Sequence, residues 1–189
     1  MNANEPAVYI ASLSDYNAGI LHGRWFSLED YETVDEWQQA INDMLAESPT
    51  AKEEGVPAEE WAIHDTNNLP RIVGEYTSLD VLVALADAYS SLWGDAVDAF
   101  NVYLDDRCDI HSADDIEDAL GDFNTAYQET YASKEDFAEE FLEDSGMMAK
   151  IPEWAQPFFD MEAYARDLFM GDFTAIQDEI TRNYYVFAV

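Results

Sequence analysis

The stretch SKEDFAEEFLED, Ser133–Asp144, decides whether this chain is a folded protein or an acidic polymer. It packs six carboxylates and one lysine into twelve residues. Ser133 stands at the N-cap of a predicted helix, with Asp136 at the capping-box position three residues on. Phe137, Phe141 and Leu142 recur at helical spacing and give that helix a side that faces a core. Acidic tails are low-complexity blocks without aromatics, so this stretch belongs to a folded element. The remaining face is unusual. Glu135, Glu139 and Glu143 form one row at four-residue spacing, and Asp136, Glu140 and Asp144 form a second. Each like-charged pair at that spacing costs about a few tenths of a kcal/mol.

The surroundings repeat the pattern. Residues 101–150 hold 15 acids against Arg107, Lys134 and Lys150, yet Tyr103, Phe123, Tyr127 and Tyr131 are threaded among them. Across all 189 residues, 41 Asp and Glu face 8 Lys and Arg, a net charge of −33. Hydrophobic residues at 48% and aromatics at 14% supply enough apolar surface for a core, which argues against wholesale disorder. A charge of this size repels nucleic acid and anionic membranes and draws basic partners. No apolar run approaches the roughly 20 residues of a membrane span. The N-terminus has no signal-peptide pattern. Cys108 is single and has no intramolecular disulfide partner, as expected of a reduced cytoplasmic protein.

Local patterns predict an α+β fold. AVYIASL (Ala7–Leu13) reads as a strand, SDYNAG (Ser14–Gly19) as a turn, and Ile20–Leu28 as a second strand with Gly23 a candidate bulge. Thr33 and Glu36 form a capping box ahead of a helix whose apolar stripe is Val34, Trp37, Ile41, Met44 and Leu45. SPTAKEEGVPAEE reads as a loop with room for a short turn, and WAIHD (Trp61–Asp65) as a strand. Ser78 opens a mostly apolar helix to Leu92, Gly94 breaks it, and Asp95–Leu104 begins another. Ser112 and Asp115 mark a short helix ending at Gly121. Phe123–Tyr131 fits strand or helix equally. Asp160 caps MEAYARDLFM, and YYVFAV (Tyr184–Val189) is a final strand. Subdomain boundaries fall near 65 and 105, giving segments 1–65, 66–104 and 105–189.

A helix advances about 6 Å in four residues, so each row on Ser133–Asp144 sets a carboxylate roughly every 6 Å. The net charge equals the phosphates on roughly 16–17 base pairs. Folded carboxylates at such density imitate a nucleic-acid backbone; the plainer reading is a solvated helix face. Adaptation to high salt is a third reading, opposed by the abundant bulky hydrophobics. Enzyme signatures are weak: no acid/base pair stands out, and GxSxG, Walker and GxGxxG motifs are absent. Cys108, His111 and the aspartates nearby lack the ligands of structural zinc and the spacing of a calcium loop. His22 and His64 read as hydrogen-bonded structural residues.

YIASLSDYNAGILHGRWFSL (Tyr9–Leu28), EEWAIHD (Glu59–Asp65), AYQETYASKEDFAEEFLED (Ala126–Asp144) and IPEWAQPFFDMEAYARDLFMGDF (Ile151–Phe173) resemble, in order, segments of the ArdA-type antirestriction proteins. The chain is slightly longer than many relatives, around Ser48–Pro57 and after Ile176. The resemblance implies a cytoplasmic, mobile-element protein without catalytic residues or cofactor, built as an elongated chain of three small subdomains. It implies a homodimer whose acidic surface imitates bent DNA and displaces DNA from type I restriction–modification enzymes. On that reading the phosphate mimics are drawn from Asp105, Asp106, Asp109, Asp114, Asp115, Asp118, Asp122, Glu135, Asp136, Glu139, Glu140, Glu143 and Asp144. Asp35, Glu36, Asp43 and Glu47 add to the same surface. The family's antirestriction motif, associated with the dimer contact, maps onto Gly146–Tyr164. There Met147, Met148, Ile151, Trp154, Phe158 and Phe159 form an apolar patch that serves either as a self-association surface or as ordinary core. The alternative function is an acidic module that binds other basic, DNA-binding proteins.

Overall fold

A computed structural model describes residues 5–107, 110–179 and 181–189. Those residues form eight helices and two three-stranded antiparallel sheets, an α+β arrangement as the sequence predicts. The first sheet joins β1 (Ala7–Ser12), β2 (Gly23–Ser27) and β3 (Trp61–Asn67) in the order β2-β1-β3. Central β1 is buried except at Tyr9, and its Val8 and Ile10 enter the main core.

The bulge lies elsewhere than expected. Gly23 pairs with Ala11 in regular register with β2. The shift falls instead between β1 and β3, where Tyr9 faces Asp65 and Ile10 faces Ile63, leaving His64 as the extra residue. Gly23 serves close approach: a Cβ there would collide with the Ile10 carbonyl oxygen and lie 2.8 Å from the Ala11 Cα.

Two helices occupy segments that read as turn and loop. SDYN forms most of α1 (Leu13–Asn17), and PTAKEE forms α3 (Pro49–Glu54) with Ser48 as its N-cap. Their tie is long-range and so invisible to local propensity. Asp15, fully buried, accepts the Thr50 backbone N–H at 2.9 Å. Burial works to raise the Asp15 pKa. Hydrogen bonds from Ser48, Ser12 and Thr50 outweigh it and hold the carboxyl far below the usual range.

Helix α2 (Val34–Ala46) begins at the predicted Thr33–Glu36 capping box and buries Trp37, Ile41, Met44 and Leu45. Trp37 stacks on Phe26 at 5.8 Å. Val34 departs from the expected stripe: it is exposed and lines a groove with Trp61. His22 donates its Nε2–H to the Met44 carbonyl, 2.8 Å away, in keeping with a structural role.

Helices α4 (Leu79–Ser91), α5 (Ala96–Arg107) and α6 (Ala113–Ala126) follow. Helix α6 runs past its expected end at Gly121. A mid-helix glycine costs about 1 kcal/mol, and fully buried Phe123 in the next turn offsets it. The ambiguous segment Phe123–Tyr131 divides, its first part finishing α6 and the rest forming β4 (Tyr127–Tyr131). After α7 (Lys134–Asp144) and α8 (Met161–Gly171) comes an unforeseen strand, β5 (Phe173–Gln177), then β6 (Tyr184–Ala188).

The second sheet has the order β4-β6-β5. Side chains alternate across β6. Tyr185 and Phe187 join the main cluster with β1, β2, α2, α4, α5 and α6, whereas Val186 joins a second cluster. That second cluster contains Phe137 and Ala138 of α7, Ala165 and Leu168 of α8, and Phe173. Coverage of both faces explains the unbroken apolar run YYVFA. Among the described residues no helix is long and apolar enough to cross a membrane.

Two substitutions probe these contacts. Gly23→Ala forces the first sheet apart and should lower stability by about 1–3 kcal/mol in urea unfolding. Asp15→Asn should lower it by about 1.5–3 kcal/mol at neutral pH through weakened charge-assisted bonds. Because the folded-state pKa of Asp15 is depressed, its stabilisation is complete above the unfolded value of about 3.9 and drains away as pH falls below it. Unfolding free energies of wild type and variant should therefore converge in acid.

Candidate protein-interaction surface

Helix α6 carries a carboxylate row that adds to the two expected on α7. Asp114, Asp118 and Asp122 recur every four residues, all exposed, while Ile116 and Phe123 are buried on the opposite side. Helix α7 carries its two rows, Glu135–Glu139–Glu143 and Asp136–Glu140–Asp144, and all six residues are exposed. Its inner face is aromatic. Phe137 meets Phe173 at 4.7 Å, Tyr131 at 5.2 Å and Phe141 at 5.8 Å. Ser133 caps α7 by accepting the Asp136 N–H at 3.1 Å, but the reciprocal bond from Asp136 does not form. The Asp136 carboxylate therefore stays turned to solvent with its neighbours.

These carboxylates are not neutralised internally. Among the described residues, none of Asp114, Asp118, Asp122, Glu135, Asp136, Glu139, Glu140, Glu143 and Asp144 makes an ion pair with a basic side chain. Three of the basic groups are engaged elsewhere. Arg24 lies 4.6 Å over the Phe26 ring and donates to the Ala40 carbonyl. Lys134, at the start of α7, sits 5.0 Å over the Phe169 ring. Arg71 faces Asp105 at 3.9 Å and Glu179 at 4.0 Å. The uncompensated field is felt at Tyr131, whose hydroxyl donates to Glu140 at 3.2 Å. Burial, followed by the charge and hydrogen bond of Glu140, pushes that phenol up to about 12.

Not every acid singled out in the sequence belongs to this surface. Asp105 is half-buried and accepts the Arg71 backbone N–H, so it clips the loop before α4 to α5. Burial raises its pKa, and the Arg71 contacts lower it in part. Asp115 completes the α6 capping box: one carboxylate oxygen accepts the His111 N–H, the Ser112 N–H and the Ser112 hydroxyl, each at 2.9 Å. Those bonds lower its pKa. Asp106 is exposed on α5, and Asp109 lies outside the described residues. On α2, Asp35, Glu36 and Asp43 are exposed, as is Glu47 at its C-cap, with Glu36 engaged in its capping box. A further group escaped sequence reading. The Asp98 pKa is raised by burial first, and then by the charges of Asp178 and Asp95. The signal is absent from the sequence because 80 residues separate Asp98 from Asp178.

The segment between α7 and α8 contains the expected apolar residues, and none of the six is buried. Trp154 is 77% exposed and Phe158 83%, while Met147, Met148, Ile151 and Phe159 are half-buried. Two short 3-10 turns, Met148–Lys150 and Gln156–Phe158, shape the segment. The Gln156 side chain ties them by donating to the carbonyls of Met148 at 3.3 Å and Ile151 at 3.1 Å. Two large rings thus stand in water on a segment braced by its own hydrogen bonds.

Among the described residues no cluster of His, Cys, Asp and Glu is arranged to hold a metal ion. What the surface can do chemically is pair with cations. No curated protein matches the chain. A family model described as antirestriction protein (ArdA) matches residues 8–182, nearly the whole sequence. That span includes all eight helices, all but the first residue of the first sheet, the carboxylate rows and the exposed aromatic segment. The chain belongs to the ArdA family of antirestriction proteins, inhibitors directed at restriction–modification enzymes.

Proposed function

We propose that this protein inhibits type I restriction–modification enzymes by presenting carboxylates in place of DNA phosphates and occupying their DNA-binding groove. The observation that carries this reading is the set of three exposed carboxylate rows on α6 and α7, unpaired with any described base. At about 6 Å between successive acids in a row, neighbouring rows approach the charge density of a duplex, which carries one charge per roughly 1.7 Å of axis. Binding proceeds as it does for DNA: many weak pairs form in a basic groove, and no single pair dominates. Asp106, Asp114, Asp118, Asp122 and the six acids of α7 supply the pairs, while Asp105 and Asp115 act inside the fold.

Trp154 and Phe158 add a second copy of the chain. A pair of exposed rings flanked by half-buried methionines is the composition of a self-association core, aromatic and Met-rich with little charge. Dimerisation doubles the acidic track. The inhibitor works in the cytoplasm, where incoming DNA meets restriction enzymes, and needs neither cofactor nor nucleic acid.

Binding of the purified protein to a type I enzyme should weaken by roughly tenfold or more as salt rises from about 50 to about 200 mM. Glu139→Gln alone should change affinity less than about threefold, and neutralising all six acids of α7 should abolish inhibition of DNA cleavage. Loss of inhibition from that single change, with circular dichroism unaltered, would sink the phosphate-mimic reading. Trp154→Ala with Phe158→Ala should convert a dimer to a monomer in light scattering without altering secondary structure. A dimer that survives both changes would place the self-contact elsewhere.

A further inference from the structure

The turn before α4 holds a feature that phosphate mimicry does not use. Tyr76 is 80% exposed, yet its backbone is fixed. The Gly74 N–H donates to the Thr77 hydroxyl at 2.9 Å, the Thr77 N–H to the Gly74 carbonyl at 3.2 Å, and the Ile63 N–H of β3 to the Glu75 carbonyl at 3.1 Å. A ring held in water on an ordered turn gives the core nothing. Beside it runs a groove of about 430 Å³ lined by the apolar residues Val34, Trp61, Tyr76 and Leu79 and by the exposed acids Glu75 and Asp80. Hydrogen bonds from the Ser78 side chain and from backbone N–H groups, Ala113 among them, lower the Asp80 pKa.

Charge complementarity selects the occupant. Aromatic faces next to carboxylates bind a guanidinium, which stacks on the ring through its plane and pairs with acids through its edge. Nucleic acid is repelled by Glu75 and Asp80. A second copy of this chain brings 41 acids and only 8 bases. We propose that Tyr76, Trp61, Glu75 and Asp80 form a receptor for an arginine side chain of the basic partner enzyme, a contact of shape and stacking that supplements the diffuse carboxylate field. This rests on the cationic groove partner proposed above. It gives the inhibitor one contact that a DNA duplex lacks.

The test is calorimetric titration of the full-length protein into a purified type I enzyme across a salt series, for wild type, Tyr76→Ala, Tyr76→Phe, the pair Glu75→Gln with Asp80→Asn, and Glu139→Gln. Tyr76→Ala should bind about five- to thirtyfold more weakly at every salt concentration. Its slope of log affinity against log salt should match wild type, because the ring carries no charge. Tyr76→Phe should bind within about twofold of wild type, since the ring face rather than the hydroxyl makes the contact. The Glu75/Asp80 pair should lose as much as Tyr76→Ala, whereas Glu139→Gln should lose little. The receptor is overturned if Tyr76→Ala binds as wild type while wild type itself binds in a salt-dependent manner. It is equally overturned if Tyr76→Ala changes the oligomeric state in light scattering, which would make the groove a self-contact. Wild type that fails to bind the enzyme at any salt overturns both this receptor and the phosphate-mimic reading.

Discussion

Aromatic packing beneath the acidic helices is the condition on which the surface depends. Along α7 the like-charged pairs at four-residue spacing are Glu135–Glu139, Glu139–Glu143, Asp136–Glu140 and Glu140–Asp144. Together they oppose the helix by about 1–2 kcal/mol. Burial of Phe137 and Leu142 on the inner face returns about 1.5–3 kcal/mol for each side chain. Ring contacts of Phe137 with Tyr131, Phe169 and Phe173 add to that. Helix α6 follows the same rule, with Phe123 set against Phe100 at 5.1 Å and Tyr127 at 4.9 Å. The high aromatic content and the high charge are therefore two sides of one design: rings on the inside hold carboxylates in rows on the outside.

The acids divide by what surrounds them. Asp15, Asp105 and Asp115 each accept backbone N–H groups and serve as internal fasteners. The acids of α7 accept little from the protein and stand exposed to solvent. Composition counts both kinds alike, which is why a net charge overstates the surface available to a partner.

Much of the fold was legible in the sequence because its signals were local. The Thr33–Glu36 and Ser112–Asp115 capping boxes mark helix starts where the structure has them. The Phe137 face of α7 and the apolar runs of β1 and β6 also needed only neighbouring residues to be read. What escaped depended on distant partners. Helices α1 and α3 are joined by Asp15 and Thr50, 35 residues apart. Strand β5 exists through its pairing with β6, and FTAIQ alone carries no strong strand pattern. The site divided in the same way. Helical spacing exposed the two rows of α7, but it could not tell that Asp105 is clipped to Arg71. Tyr76 gave no signal at all, since exposure of a single ring is a property of the assembled surface.

Strand β6 sends Tyr185 and Phe187 into one cluster and Val186 into the other. Neither cluster can be dismantled without stripping a face from the strand that completes its neighbour. The flanking strands do the same, with Tyr127 of β4 and Ile176 of β5 packed on the first cluster and Tyr131 and Ala175 on the second. The second sheet is thus a wall common to both, and loss of packing under α7 strips one face of a layer that the main core uses.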